Sequence, residues 1–145
     1  LVKGMEYTLE AGSPDVEISA LEYDSRKVVP GSLFVCLTGF QTDGHDYIPK
    51  ALEAGAAALV VEREVSVPKG IAVVRTADSR AALALLSAAW FGHPAEEMTV
   101  IGLTGTKGKT TTAHMLKAIL EAAGHKVGMI GTIGAGRPDG AMALM

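Results

Sequence analysis

Eight consecutive residues carry the clearest chemistry in the chain: Thr104-Gly105-Thr106-Lys107-Gly108-Lys109-Thr110-Thr111. They lie between the apolar run Thr99–Leu103 and an amphipathic segment, Thr110–Ala123. Gly105 and Gly108 stand where backbone N–H groups must wrap closely around an anion. The loop then opens a helix, whose unpaired N–H groups and dipole favour negative charge. Lys109 can reach the β- and γ-phosphates of a nucleotide, and the Thr110 hydroxyl can ligate Mg²⁺. The strict pattern is Gly-x₄-Gly-Lys-Ser/Thr. Leu103 occupies its first position and Gly102 comes one residue too early, so the loop is a variant of the motif. His114, one turn further on, reads as a solvated or capping histidine.

A second constellation lies earlier in the chain. Tyr23-Asp24-Ser25-Arg26 and Gly39-Phe40-Gln41-Thr42-Asp43-Gly44-His45 each follow a run that reads as a strand. Open α/β sheets bind ligands outside the carboxyl ends of their strands. Arg26 offers a fork for phosphate, and Ser25, Gln41 and Thr42 offer hydrogen bonds to a base or sugar. By themselves these are ordinary polar loops, whose residues cap and turn.

The elements that must position these loops follow from periodicity. Val16–Tyr23 alternates and reads as a half-solvated strand. Leu33–Leu37, Ala56–Val61 and Ile71–Val74 are continuous apolar runs, hence strands buried on both faces. Asp46 can cap a helix running to Glu53, which Gly55 ends. Asp78–Phe91 is a helix with Leu83, Leu86 and Trp90 at core spacing, Trp90 anchoring it on the sheet. Beyond the Gly92–Glu97 linker, Thr99–Leu103 and Lys126–Ile130 are expected strands flanking the Thr110–Ala123 helix. Alternating strands and helices predict an α/β fold with parallel sheets and crossover helices. The expectation is a small N-terminal α/β domain over 1–97, then the start of a phosphate-loop domain over 98–145. The Gly-rich segment 134–145 has no partner in this pattern, which suggests a chain cut or altered there.

Charge supports a boundary. Residues 1–97 hold 8 basic and 14 acidic side chains, whereas 98–134 hold Lys107, Lys109, Lys117 and Lys126 against Glu121 alone. The second segment is therefore suited to meet an anion. The whole 145-residue chain carries −3, which gives no general affinity for nucleic acid or anionic membrane. No apolar run approaches the roughly 20 residues needed to span a bilayer. No basic-then-apolar leader stands at Leu1. Cys36 is the single cysteine, so an intrachain disulfide and a Cys-based zinc site are excluded. It reads as an inert core thiol in a protein of the reducing cytosol.

Together these residues resemble the Mur ligase family, the ATP-dependent amide-forming ligases of peptidoglycan assembly. Thr104–Thr111 is similar to that family's Thr-Gly-Thr-Asn-Gly-Lys-Thr-Thr, with Lys107 where Asn is commoner. Tyr23–Arg26, Pro30–Val35, Asp43-Gly44-His45 and Gly55-Ala56 resemble the N-terminal domain shared by two of its members. Gly131-Thr132-Ile133-Gly134 looks most like the member that adds a diamino acid to D-glutamate. The resemblance covers about Val16 to Gly134. It implies an N-terminal domain for the UDP end of the substrate, then a central ATPase domain of which this chain holds the start.

By the family pattern, Gly105, Thr106, Lys107, Gly108, Lys109, Thr110 and Thr111 bind ATP. Lys109 serves catalysis, and Thr110 holds Mg²⁺. Tyr23, Ser25, Arg26, Phe40, Gln41 and Thr42 form the UDP-sugar region, with Phe40 departing from the histidine of some members. The implied partners are a UDP-N-acetylmuramoyl dipeptide and a diamino acid, meso-diaminopimelate or L-lysine. The implied reaction makes an acyl phosphate on the D-glutamate carboxylate, from which the incoming amine displaces phosphate. The later substrate residues and the amino-acid site have no counterpart here, so the chain alone is expected to be inactive. The competing readings are the family member that adds D-alanyl-D-alanine, a phosphate-loop kinase or GTPase, and a non-catalytic UDP-sugar-binding module. The count at Leu103 speaks against the kinase or GTPase.

Overall fold

The computed structural model describes residues 2, 4–39, 42–131, 134–136 and 142–143. It divides into two compact units, Leu1–Thr99 and Val100–Met145.

The first unit is built on the apolar runs. Its strands are β1 (Thr8–Ala11), β2 (Ala20–Glu22), β3 (Ser32–Val35), β4 (Ala58–Val61) and β5 (Ala72–Arg75), in the order β1-β5-β4-β3-β2. The pairs β2–β3, β3–β4 and β4–β5 are parallel, and β1 closes the β5 edge antiparallel. Successive side chains on a strand point to opposite faces. Phe34, Cys36, Leu59, Val61 and Val73 therefore pack with Ile48 and Ala51 of the crossover helix α1 (Ile48–Glu53). Leu33, Val35, Ala58, Val60 and Ala72 pack with Ala82 and Leu86 of α2 (Ser79–Trp90). Burial on both faces is why these strands read as unbroken apolar runs.

Several details depart from the sequence reading. Strand β1 was not foreseen, because Thr8–Ala11 sits exposed or half-buried at an edge and lacks clean alternation. Asp43, not Asp46, makes the N-terminal cap: its side chain accepts the His45 N–H at 2.9 Å and starts a 3₁₀ turn, Gly44–Tyr47, that leads into α1. On α2 the fully buried positions are Ser79, Ala82 and Leu86, while Leu83 and Trp90 are only half-buried. Trp90 is thus not the core anchor expected of it.

In the second unit α3 spans Lys109–Ala122, and β6 (Met129–Gly131), β7 (Gly134–Gly136) and β8 (Met142–Ala143) form an antiparallel sheet. The expected strand Thr99–Leu103 is irregular, with Val100 71% and Ile101 52% exposed. A strand exists only through pairing, and no described strand lies beside this run. The expected strand Lys126–Ile130 is realised at Met129–Gly131, paired antiparallel with Gly134–Gly136 rather than parallel. Ala113, Leu116 and Leu120 of α3 are half-buried, whereas Ile119 is exposed.

Candidate functional site

The loop Thr104–Thr111 has the backbone its composition demands. Gly105 has φ +144° and Gly108 φ +80°, conformations that L side chains rarely adopt. Gly108 is the N-cap of α3, and no side chain caps that helix end. The first-turn N–H groups are thus open to an anion. A Cβ added at Gly108 would meet no atom within 4 Å, so its positive φ, not crowding, is what calls for glycine there. The Lys109 ammonium folds back over the loop and donates to the Gly105 carbonyl at 2.5 Å. Thr106, Lys107, Thr110 and Thr111 are all exposed around it. Free N–H donors, a lysine over the loop and a hydroxyl on the first helical turn fit a nucleotide phosphate. Thr110 fits one ligand position of a Mg²⁺ that otherwise keeps waters and phosphate oxygens.

In the first unit, the predicted loops leave the carboxyl ends of β2 and β3. Tyr23 is 60% exposed, and Ser25 is buried beneath its loop. Arg26 does not present a free fork. Its Nε lies 2.9 Å from Asp24 Oδ1 and its Nη2 2.6 Å from Asp24 Oδ2. That pair holds the Asp24 carboxyl well below the usual carboxylate range. Thr42 is exposed, and its carbonyl accepts the Gly39 N–H at 3.0 Å. Phe40 and Gln41 lie outside the described residues.

The structure also gathers a group that sequence reasoning did not single out as a site. Thr38, Asp43, His45, Glu62, Arg63, Ser79 and Arg80 converge at this end of the sheet. Glu62 Oε1 accepts from Ser79 N–H and Oγ at 2.9 and 2.7 Å, and its Oε2 accepts from Thr38 Oγ1 at 2.8 Å. His45, with its side chain 2% exposed, sets Nδ1 2.6 Å from Asp43 Oδ1. Chiefly the Ser79 hydroxyl, then its N–H, pulls the Glu62 carboxyl below its ordinary range, and the His45 N–H does the same to Asp43. The available signal was position: Glu62 directly follows a buried strand, and Asp43-x-His45 follows another.

A mostly parallel sheet with polar loops at its carboxyl edge, followed by a Gly-rich loop opening a helix, is an α/β arrangement of the kind that binds nucleotides. Comparison with known proteins narrows it. The sequence model of the Mur ligase family, catalytic domain, matches residues 17–99, and that of the Mur ligase middle domain matches 103–141. The chain belongs to the Mur ligase family. It is 51% identical over 123 residues to the UDP-N-acetylmuramoyl-L-alanyl-D-glutamate--2,6-diaminopimelate ligase of Geobacillus thermodenitrificans, covering 85% of this chain and 24% of that protein. It is 44% identical over 133 residues to the ligase of the same name from Clostridium perfringens, covering 92% of this chain and 28% of the relative. Among solved structures, the MurF ligase of Thermotoga maritima in complex with ADP matches with a TM-score of 0.56 and 32% identity, over 76% of this chain and 25% of that one. The chain thus spans about a quarter of the length of the relatives it matches.

Proposed function

We propose that this chain is the UDP-substrate unit and nucleotide loop of an ATP-dependent ligase of peptidoglycan precursor synthesis. On this reading the whole enzyme adds a diamino acid to UDP-N-acetylmuramoyl-L-alanyl-D-glutamate. The observation that carries it is the open loop Gly105–Lys109 at the uncapped start of α3. The names of the relatives at 44–51% identity support 2,6-diaminopimelate as the amino acid, over the D-alanyl-D-alanine-adding reaction of a neighbour at 36%.

When bound, ATP would supply the phosphoryl group that turns one substrate carboxylate oxygen into a phosphate leaving group, which an amine can displace. The chain's own residues do the holding. N–H groups of Gly105–Thr111 surround the phosphates, and Lys109 places positive charge where negative charge gathers during transfer. Thr110 offers its hydroxyl to Mg²⁺. Tyr23, Ser25, Arg26, Phe40, Gln41 and Thr42 hold the UDP end of the substrate. Arg26 must exchange its bonds with Asp24 for bonds to phosphate, or else serve only to order its own loop. Among the described residues no helix is long and apolar enough to cross a membrane, and a cytosolic site of action fits the single buried thiol.

The test is Lys109→Ala measured against two ligands. Magnesium-ATP binding should fall at least about tenfold, the loss of one charge-assisted contact. Affinity for the UDP-N-acetylmuramoyl dipeptide should stay unchanged. Undiminished ATP binding by the variant would refute the assignment.

A further inference from the structure

The described residues of the second unit hold four lysines, Lys107, Lys109, Lys117 and Lys126, against one acid, Glu121. The four are not equivalent. Lys117 is paired with Glu121 and also donates to the Val127 carbonyl at 3.0 Å. Lys126 follows the far end of α3, a 14-residue helix about 21 Å long. Lys109 donates to the Gly105 carbonyl. Lys107 is exposed on the loop and has no hydrogen bond or ion pair among the described residues.

That position is electrostatically unfavourable for the chain by itself. The start of a helix is the positive end of its dipole and favours anions. Gly108 opens α3 with no side-chain cap to offset that charge. Lys107 adds a cation directly before this end, two residues from a second cation, Lys109. A neutral or acidic residue would suit the fold better there. The unfavourable charge is offset when an anion occupies the loop.

The reach of this charge follows from its place in the chain. The Lys107 backbone belongs to the loop whose N–H groups face the phosphates in the proposed function, and its ammonium rides on a flexible four-carbon stem. In any rotamer it stays within about 10 Å of a phosphate held by those N–H groups, inside one Debye length at low salt. At that range each unit of ligand charge is worth about a twofold change in affinity in water.

We propose that the Lys107 ammonium acts on the nucleotide through its charge, at a distance, and so favours the triphosphate over the diphosphate. This rests on the proposed function above. Lys109 makes the direct contact, and Lys107 is a specificity-determining residue beside it.

The experiment compares the wild-type 145-residue chain with Lys107→Gln, Lys107→Arg and Lys126→Gln by calorimetric titration with magnesium-ATP and magnesium-ADP. At low salt Lys107→Gln should weaken magnesium-ATP about fourfold and magnesium-ADP, which carries one negative charge fewer, about twofold. Both losses should vanish near 1 M salt, where the Debye length is about 3 Å. Lys107→Arg keeps the charge and should bind as the wild type does. Lys126→Gln removes the same charge beyond the other end of α3 and should leave both affinities unchanged. Without nucleotide, the urea midpoint of Lys107→Gln should be no lower than that of the wild type. Wild-type affinity in Lys107→Gln, equal losses for the two nucleotides, or a loss that persists at high salt would overturn the proposal. So would a Lys107→Arg as weak as Lys107→Gln, a matching loss in Lys126→Gln, or a lowered urea midpoint. A wild type that binds neither nucleotide, or a Lys109→Ala that binds both as the wild type does, would instead remove the functional reading itself.

Discussion

At Cys36, burial alone decides the chemistry. The side chain is fully buried, and loss of water pushes the thiol up to about 12. Iodoacetamide at pH 8 should therefore leave the folded chain unlabelled and react quickly in urea; fast labelling without denaturant would contradict the packing. Gly44 is fixed by space rather than by dihedral. A Cβ there would stand 2.6 Å from the Leu37 nitrogen, against backbone that cannot give way. Gly44→Ala should cost about 2 kcal/mol or more of stability in chemical denaturation, as overpacking does. Glu62 and Asp43 have folded-state pKa values below their unfolded ones. Their stabilisation is present above the unfolded carboxylate range, near pH 4, and is lost as pH falls through the folded values. The urea midpoint should drop on acidification below about pH 4, and less so in Ser79→Ala, which removes the largest cause at Glu62. An equal drop in both would contradict that cause.

Among the elements, strands β3, β4 and β5 were legible because they are buried on both faces, which leaves a continuous apolar run at Leu33, Ala58 and Ala72. Strand β1 was not, because an antiparallel edge needs little apolar signal when β5 supplies its partner. Periodicity found α2 but misplaced its register. Ala82 and Ser79 fit closest to the sheet because they are small, so the larger Leu83 and Trp90 are left half-buried. The run Thr99–Leu103 has strand composition without a described strand to pair with, and composition alone carries no register. The loop Thr104–Thr111 was legible because its backbone shape requires glycine at Gly105 and Gly108. The Glu62 group was not, because the bonds that join Thr38, His45 and Ser79 to Glu62 span 17 to 24 residues and form only through the fold. Asp78 caps α2 by accepting the Arg80 and Ala81 N–H groups at 2.9 and 3.0 Å. Asp78→Ala should cost about 1 kcal/mol in urea unfolding, and no loss would remove the cap from the account.

For the whole molecule, the two compact units and the two family matches divide at nearly the same place, Thr99/Val100 against residues 99 and 103. On the proposed function, the UDP-bearing substrate binds the first unit and ATP binds the loop of the second. Two titrations of the 145-residue chain, followed by backbone amide shifts, separate these roles. UDP-N-acetylmuramoyl-L-alanyl-D-glutamate should move Ser25, Arg26 and Thr42 and leave Gly105–Thr111 in place. Magnesium-ATP should move Gly105–Thr111 and leave the first set in place. Both ligands moving only Gly105–Thr111 would contradict the assignment of the substrate to the first unit.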